Sequence, residues 1–433
     1  MRKMRDSGIE WVGAIPAAWG VHRIASHFQE IKEKNTANAY SNALQFKMGK
    51  IIEKPQKWDE DETNETYSAY TVVHPNTIMI NGLNLEFDFV TQRVARVECN
   101  GIITSAYIAL SPRDDINAEY ICYLLKSYDA CRAFHSMGRG LRKILSYSEL
   151  KNKPIVVPPL AEQERIAAFL DAECAEIDAV LEKTRASIEE YKKLKQAVIT
   201  QAVTKGIRGD RPMKDSGIEW IGDIPAEWDV VRQKYFWNTV ESGVSVNAAD
   251  KPVDNSEQYG VLKTSAVSKF VFIPTEHKQV NLEEYGRVSC PVRADSIIAS
   301  RMNTPELVGA CGYVQNNYPN LFLPDRLWQI TFKDGLSPKY AWYYLSGIRV
   351  RQYISSLSTG TSSSMQNISQ SQYGNIFITI PSIGEQSEIT KYLDEKCRSV
   401  DALVTKKQQY LTEIENYKKS LIYEYVTGKK EVV

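Results

Sequence analysis

A helix-forming run of about fifty residues is written twice in this chain. It reads P-P-L-A-E-Q-E-R-I-A-A-F-L-D-A-E-C-A-E-I-D-A-V-L from Pro158 and P-S-I-G-E-Q-S-E-I-T-K-Y-L-D-E-K-C-R-S-V-D-A-L-V from Pro381, with no gap between the copies. Glu162-Gln163, Leu170-Asp171, Cys174 and Asp178-Ala179 recur as Glu385-Gln386, Leu393-Asp394, Cys397 and Asp401-Ala402. Self-similarity at a fixed offset marks a duplicated unit, so any fold for this chain is built twice. Neither copy contains glycine or proline from Glu162 to Val203 or from Glu385 to Val426. At 1.5 Å per residue, roughly 45 residues make a rod about 65 to 70 Å long.

The copies carry their own start signals and their own seam. Ser382, three residues before Glu385, predicts a capping box; Pro159 replaces that serine in the first copy, at an early helical position that needs no donor. Ile177, Leu181, Ile188, Tyr191 and Val198 follow three- and four-residue steps, matched by Val400, Val404, Leu411, Ile414 and Leu421. So narrow a stripe suits two paired helices, with Thr184, Lys195, Lys407 and Lys418 as polar interruptions that fix register. Separate coiled coils with other proteins, or one helix laid on each globular domain, fit the same stripe.

A second repeat precedes each globular region. Residues 4–21, M-R-D-S-G-I-E-W-V-G-A-I-P-A-A-W-G-V, return as M-K-D-S-G-I-E-W-I-G-D-I-P-A-E-W-D-V at 213–230, identical at thirteen of eighteen positions. Its glycines and proline predict an extended strap docked by two tryptophans. The regions after the straps diverge more, yet N-T-I-M-I from Asn76 parallels D-S-I-I-A from Asp295, and S-A-Y-I-A-L from Ser105 parallels R-L-W-Q-I-T from Arg326. We divide the chain into 1–157, a strap and first mixed α/β domain; 158–208, the first long helix; 209–380, the second strap and domain; and 381–433, the second long helix and tail. If each globule's ends lie close together, as domain termini often do, the two helices run antiparallel about an internal pseudo-two-fold. The tail after Thr427 then falls near the first strap.

Composition closes off several classes. In 433 residues the chain is 43% hydrophobic and 24% charged, with a formal net charge of zero. That is an ordinary soluble balance, and it argues against attachment to nucleic acid by bulk charge alone. No stretch approaches eighteen apolar residues and the N-terminus lacks a signal core, so the expected location is cytoplasmic, without a membrane partner. Seven cysteines with no C-x-x-C pair indicate neither a disulfide framework nor a zinc site. There is no G-x-x-x-x-G-K-[ST] loop, no N-P-P-[FY] or D-P-P-[FY], and the five histidines lack ligand spacing; no catalytic or metal residue is assigned.

The paired I-E-W-[VI]-G-x-I-P-x-x-W straps, the P-P-L-A-E-Q-E and P-S-I-G-E-Q-S helix starts, the I-D-A-V-L and V-D-A-L-V segments and the A-V-T-K-G and Y-V-T-G-K exits occur in one order over essentially the whole chain. In this the chain resembles the specificity (S) subunits of type I restriction-modification systems. The resemblance implies an α+β fold of two target-recognition domains separated by two long antiparallel helices in a coiled coil. It implies a non-catalytic, sequence-specific DNA-binding subunit that reads a bipartite site, one domain per half, with the helices as spacer ruler. Two methyltransferase (M) subunits would dock on the helices and restriction/motor (R) subunits would join them. S-adenosylmethionine, ATP and Mg would belong to those partners, with no cofactor in this chain.

Double-stranded DNA contacts are expected in polar loops of both domains. In the first, Ser136–Lys143 offers Arg139, Arg142 and Lys143 among glycines, suited to phosphates or guanine edges. In the second, Ser358–Asn367, rich in hydroxyls and amides, offers Thr361, Ser363 and Ser364, suited to backbone positioning or adenine contacts. Arg93, Arg96, Ser105 and Tyr107, and Ser300, Arg301, Asn303 and Arg326, are further candidates. Partner contacts are expected on the outer faces of the helices from Glu162-Gln163 and Glu385-Gln386. The acidic run Asp59–Glu62 reads as a solvated face. A two-headed coiled-coil adaptor for proteins is the competing reading, and an unrecognised active site in a globule a third.

Overall fold

The D-S-G-I motif makes each strap a β-hairpin. Asp6 Oδ1 accepts the Gly8 amide at 3.0 Å and Ser7 Oγ the Ile9 amide at 3.1 Å; Asp215 and Ser216 repeat both bonds in the second copy. Gly8 and Gly217 sit at φ +71° and +73°, a left-handed conformation that a side chain disfavours. Met4–Asp6 then pairs antiparallel with Ala14–Pro16, and Met213–Asp215 with Asp223–Pro225. The structure, a computed structural model, describes residues 2–47, 49–55, 67–88, 91–140, 143–362 and 365–432; the run Asp59–Glu62 lies outside them.

The chain divides into two units, Met1–Arg185 with Gln408–Val433, and Ala186–Lys407. Each contains a four-stranded antiparallel sheet of the same order. In the first unit it runs Phe28–Glu30, Ile108–Pro112, Ile78–Ile80, Val94–Arg96. In the second it runs Trp237–Ser242, Leu327–Phe332, Ser296–Ser300, Cys311–Val314. Ile78, Met79 and Ile80 are fully buried, as are Ile297, Ile298 and Ala299. A central strand covered on both faces reads as an unbroken apolar run, which is why these segments matched in sequence. Each globule's ends do meet: Gly20–Arg23 pairs with Pro154–Val157, and Asp229–Arg232 with Phe377–Ile380.

A short helix then carries an aromatic face onto the long helices. Ala118–Ala130 is capped by the Asn117 side chain and Pro338–Leu345 by Ser337. In the first unit Tyr120 donates to the Val426 carbonyl at 3.0 Å, and Tyr123 to Asp171 at 2.7 Å. In the second, Tyr340 donates to the Val203 carbonyl at 3.1 Å, and Tyr343 to Asp394 at 2.8 Å. Carbonyls in a helix's last turn have no intrahelical partner; these tyrosines supply one.

The long helices are Leu160–Lys205 and Ile383–Val426, of 46 and 44 residues. Within the first unit Phe169 packs on Tyr425 at 4.4 Å, Asp178 pairs with Lys418 at 2.6 Å and Arg185 with Glu415 at 2.6 Å. Numbers rise on one helix as they fall on the other, so the pairing is antiparallel. Within the second unit Lys407 lies over Tyr191, and Lys195 pairs with Asp401 at 2.7 Å, in the same sense. Lys195–Asp401 and Lys418–Asp178 are the same pair read from the two copies. The three seam lysines thus meet named partners across the seam, while Thr184 donates its hydroxyl to the Val180 carbonyl of its own helix at 2.8 Å. In the first unit the tail closes on the strap, Lys429 Nζ donating to the Val12 carbonyl at 2.7 Å and Tyr423 to the same atom at 2.9 Å.

Candidate nucleic-acid interface

The helix-start residues face inward, a correction to their reading as partner contacts. Trp19, 2% exposed, donates Nε1 to Glu162 at 3.0 Å, and Trp228, fully buried, donates to Glu385 at 2.9 Å. Glu162 also pairs with Arg2 at 2.5 Å and Glu385 with Arg211 at 2.6 Å. Gln163 and Gln386 are fully buried: each donates to the carbonyl of the preceding proline, Pro158 or Pro381, at 2.9 Å. Each also accepts the amide that begins the domain's short-helix cap, Asn117 at 2.9 Å and Ser337 at 2.8 Å. The recurring E-Q pair therefore locks strap, globule and helix together. The expected capping box is half formed: Ser382 Oγ takes the Glu385 amide at 3.3 Å, while the carboxylate serves Trp228 and Arg211.

The two polar loops are built alike. In the first domain the segment after Ile78–Ile80 is met by a hairpin closed by an Arg139–Ile144 bridge. Leu145 N donates to the Gly82 carbonyl at 2.9 Å, and Leu85 N to the Lys143 carbonyl at 3.2 Å. In the second domain the segment after Ser296–Ser300 is met by the hairpin Thr359–Ser362 with Met365–Asn367. Ile368 N donates to the Arg301 carbonyl at 3.0 Å, and Met302 and Asn303 pair with Asn367 and Gln366. A loop after the central strand and a hairpin therefore form one edge in each domain.

The chemistry presented there differs. On the first edge Arg139 has a side chain 84% exposed, its Nε 3.9 Å from Glu149, whose carboxyl is held below the ordinary value by hydrogen bonds from Ser146. Lys143 is paired with Glu86 at 2.6 Å. Arg142 lies outside the described residues. On the second edge Arg301 and Arg326 are exposed and adjoin, Arg301 N donating to the Arg326 carbonyl at 3.1 Å; among the described residues neither has an ion-pair partner. Asn303 sits beside them, half-buried. Thr361 belongs to the hairpin strand Thr359–Ser362, and Ser363 and Ser364 lie outside the described residues. Guanidinium groups match guanine O6/N7 and phosphate, and amides match adenine N6/N7.

Other candidates are used internally. Arg93 is fully buried and donates to the carbonyls of Asn81, Leu83 and Asp88, and Ser300 is fully buried with its hydroxyl on the Met302 carbonyl; neither reaches the surface. Arg96 is tied to Glu119 at 3.2 Å and to Asn76. Ser105 donates to the Ala69 carbonyl at 2.7 Å, and Tyr107 packs edge-on against Phe46. Gln366 lies in the expected loop Ser358–Asn367, but its pairing with Asn303 was not legible, since it joins segments more than sixty residues apart. The exposed side chains Phe87 (75%), Ile144 (47%) and Met365 (47%) on the two edges were also missed; loop apolars carry no periodicity. On the helices, Val180 and Tyr417 in the first unit and Leu194 and Leu403 in the second are exposed.

No helix among the described residues is long and apolar enough to cross a membrane, and no cluster of metal-ligating side chains occurs among them. The sequence matches the family described as Type I restriction modification DNA specificity domain over residues 99–190 and 225–415. Similar proteins include the type I restriction enzyme MjaVIII specificity subunit of Methanocaldococcus jannaschii, 25% identical over 439 residues, spanning 96% of this chain and 94% of that one. The putative type I restriction enzyme MjaX specificity subunit of the same organism is 22% identical over 449 residues, spanning 97% and 96%. A solved structure from work on complex assembly and conformational transition of the type I R-M system has a TM-score of 0.69 at 17% identity, covering 96% of this chain and 99% of its own. That likeness is one of fold.

Proposed function

Because the chain belongs to the type I restriction-modification DNA specificity family, we propose that it is the non-catalytic subunit that gives such a complex its DNA sequence, reading a two-part site with one domain per half. One observation carries this reading. Both domains build the same loop-and-hairpin edge on the same strand of the same sheet, yet one presents Arg139 and Lys143 and the other Arg301, Arg326, Asn303 and Gln366. A duplicated scaffold with unlike edges is what reading two unlike half-sites requires, since base edges are told apart by donor and acceptor pattern. Phosphates take the exposed cations and fix register.

The two long helices act as the spacer, and their lengths set the unspecified gap. Methyltransferase subunits dock on the outward faces of those helices, where Val180, Leu194, Leu403 and Tyr417 leave apolar surface uncovered, and restriction/motor subunits join them. The partners bring S-adenosylmethionine, ATP and Mg. The seven unpaired cysteines fit a reducing cytoplasm.

Mapping methylated adenines in cells with and without this gene tests the reading. The expected result is a two-part motif with a fixed gap, present only with the gene. Inserting the same whole number of heptads into both helices lengthens the gap and leaves the half-sites unchanged; altered half-sites would refute the spacer.

A further inference from the structure

Each edge rests on a buried arginine, and the two arginines come from different elements. In the first domain the loop is closed at its base by Asn81 N donating to the Arg93 carbonyl at 2.8 Å. The fully buried Arg93 then turns its guanidinium back under that loop, Nη1 donating to the carbonyls of Asn81 and Leu83 at 3.2 and 2.7 Å and Nη2 to Asp88 at 2.6 Å. In the second domain the corresponding base is Ser300 N on the Ala310 carbonyl at 2.8 Å. There the side chain comes from the helix Ile348–Leu357: Arg351, 9% exposed, donates Nη2 to the carbonyls of Glu306 and Val308 at 3.2 and 2.6 Å.

We propose that Arg93 and Arg351 are positioning residues for DNA reading, each holding the loop that forms one side of its domain's edge. The proposal rests on the function proposed above. Desolvating a guanidinium costs several kcal/mol, and an apolar side chain of like volume is often as stable. Among the described residues no carboxylate lies within 4 Å of the Arg351 guanidinium, and the Arg93 guanidinium has Asp88 at 3.8 Å, while Asp129 accepts the Arg93 backbone amide at 2.7 Å. Compensation therefore comes chiefly from loop carbonyls. What the guanidinium supplies in return is a single loop conformation, since its donors join carbonyls that a methionine cannot hold, those of Asn81, Leu83 and Asp88 for Arg93 and, through Nη2 alone, those of Glu306 and Val308 for Arg351. A reader misplaced by about 1 Å loses its bidentate base contacts. The two domains reach the same arrangement by separate routes.

The test uses the full chain with its methyltransferase subunits and duplexes carrying the wild-type motif or one scrambled half. Arg351→Met and Arg93→Met are each expected to lose tenfold or more of the discrimination at one half only, and at opposite halves. Affinity for random duplex and the melting midpoint, within a few degrees, are expected to stay. Arg→Lys at either position is expected to restore part of the loss. Folded Met variants that keep full discrimination, or that lose both halves equally, overturn the proposal. If a Met variant does not fold, amide exchange in Arg→Lys decides: faster exchange confined to 301–309 or 82–88 supports the proposal and unchanged exchange overturns it. Wild-type protein that prefers neither half would instead overturn the DNA-reading function itself.

Discussion

Trp228 gives its indole proton to one oxygen of Glu385 at 2.9 Å, while the other oxygen takes Arg211 at 2.6 Å. All three side chains are at most 11% exposed. The second strap, the start of the second long helix and the segment leading from Lys205 into that strap thus share one carboxylate.

Glu385→Ala leaves the Arg211 charge and the Trp228 donor without that carboxylate, and is expected to destabilise the second unit by about 3–5 kcal/mol. Glu162→Ala is expected to cost less, about 1–3 kcal/mol, because Arg2 keeps Glu431 at 3.1 Å. Denaturant melts followed by amide exchange in each strap measure the difference.

The tyrosine bonds at the helix ends are unequally backed. Thr379 Oγ1 also donates to the Val203 carbonyl, at 2.6 Å, whereas the matching place in the first unit is Val156, which has no hydroxyl. Tyr120→Phe is therefore expected to cost about 1–2 kcal/mol and Tyr340→Phe less than about 1, read from the same melts.

Repetition made the architecture legible, because the same apolar strands and the same seam appear twice in the sequence. The role of Glu162 and Glu385 was not legible: their partners Trp19 and Trp228 lie 143 and 157 residues away, and a glutamate at a helix start already has a local explanation. Arg93 was misread for a related reason. A cation at a strand's edge looks like surface, and the converging carbonyls that bury it carry no side-chain signal. That Arg139, Arg301 and Arg326 are exposed was legible, because glycine, charge and strand ends mark exposed loops directly.

Arg139→Ala is expected to weaken binding to all duplexes alike and to reduce the slope of log affinity against log salt by about one. Arg301→Ala is expected to cost about 1–3 kcal/mol at a single half-site. Salt titrations on cognate and scrambled duplexes separate the two outcomes.

Burial pushes the Cys311 thiol up to about 11 from its ordinary 9.0, and Cys397 likewise up to about 11, while Cys99 is exposed. Alkylation at pH 8 is expected to modify Cys99 at least tenfold faster than either, as mass spectrometry would read. Folding holds the Cys311 proton more tightly than the unfolded chain does. Its contribution is full below about pH 9 and is lost as pH rises toward 11, so alkaline melting midpoints are expected to fall in that window, and to fall less in Cys311→Ala.

The second unit is one unbroken stretch, Ala186–Lys407, whereas the first is assembled from both ends of the chain. A ribosome making this protein thus releases everything the second unit needs before it releases Tyr423 and Lys429, whose side chains bond the Val12 carbonyl. The domain synthesised first is the last to be finished, and a message cut short after Lys407 yields one completed reader beside an open one.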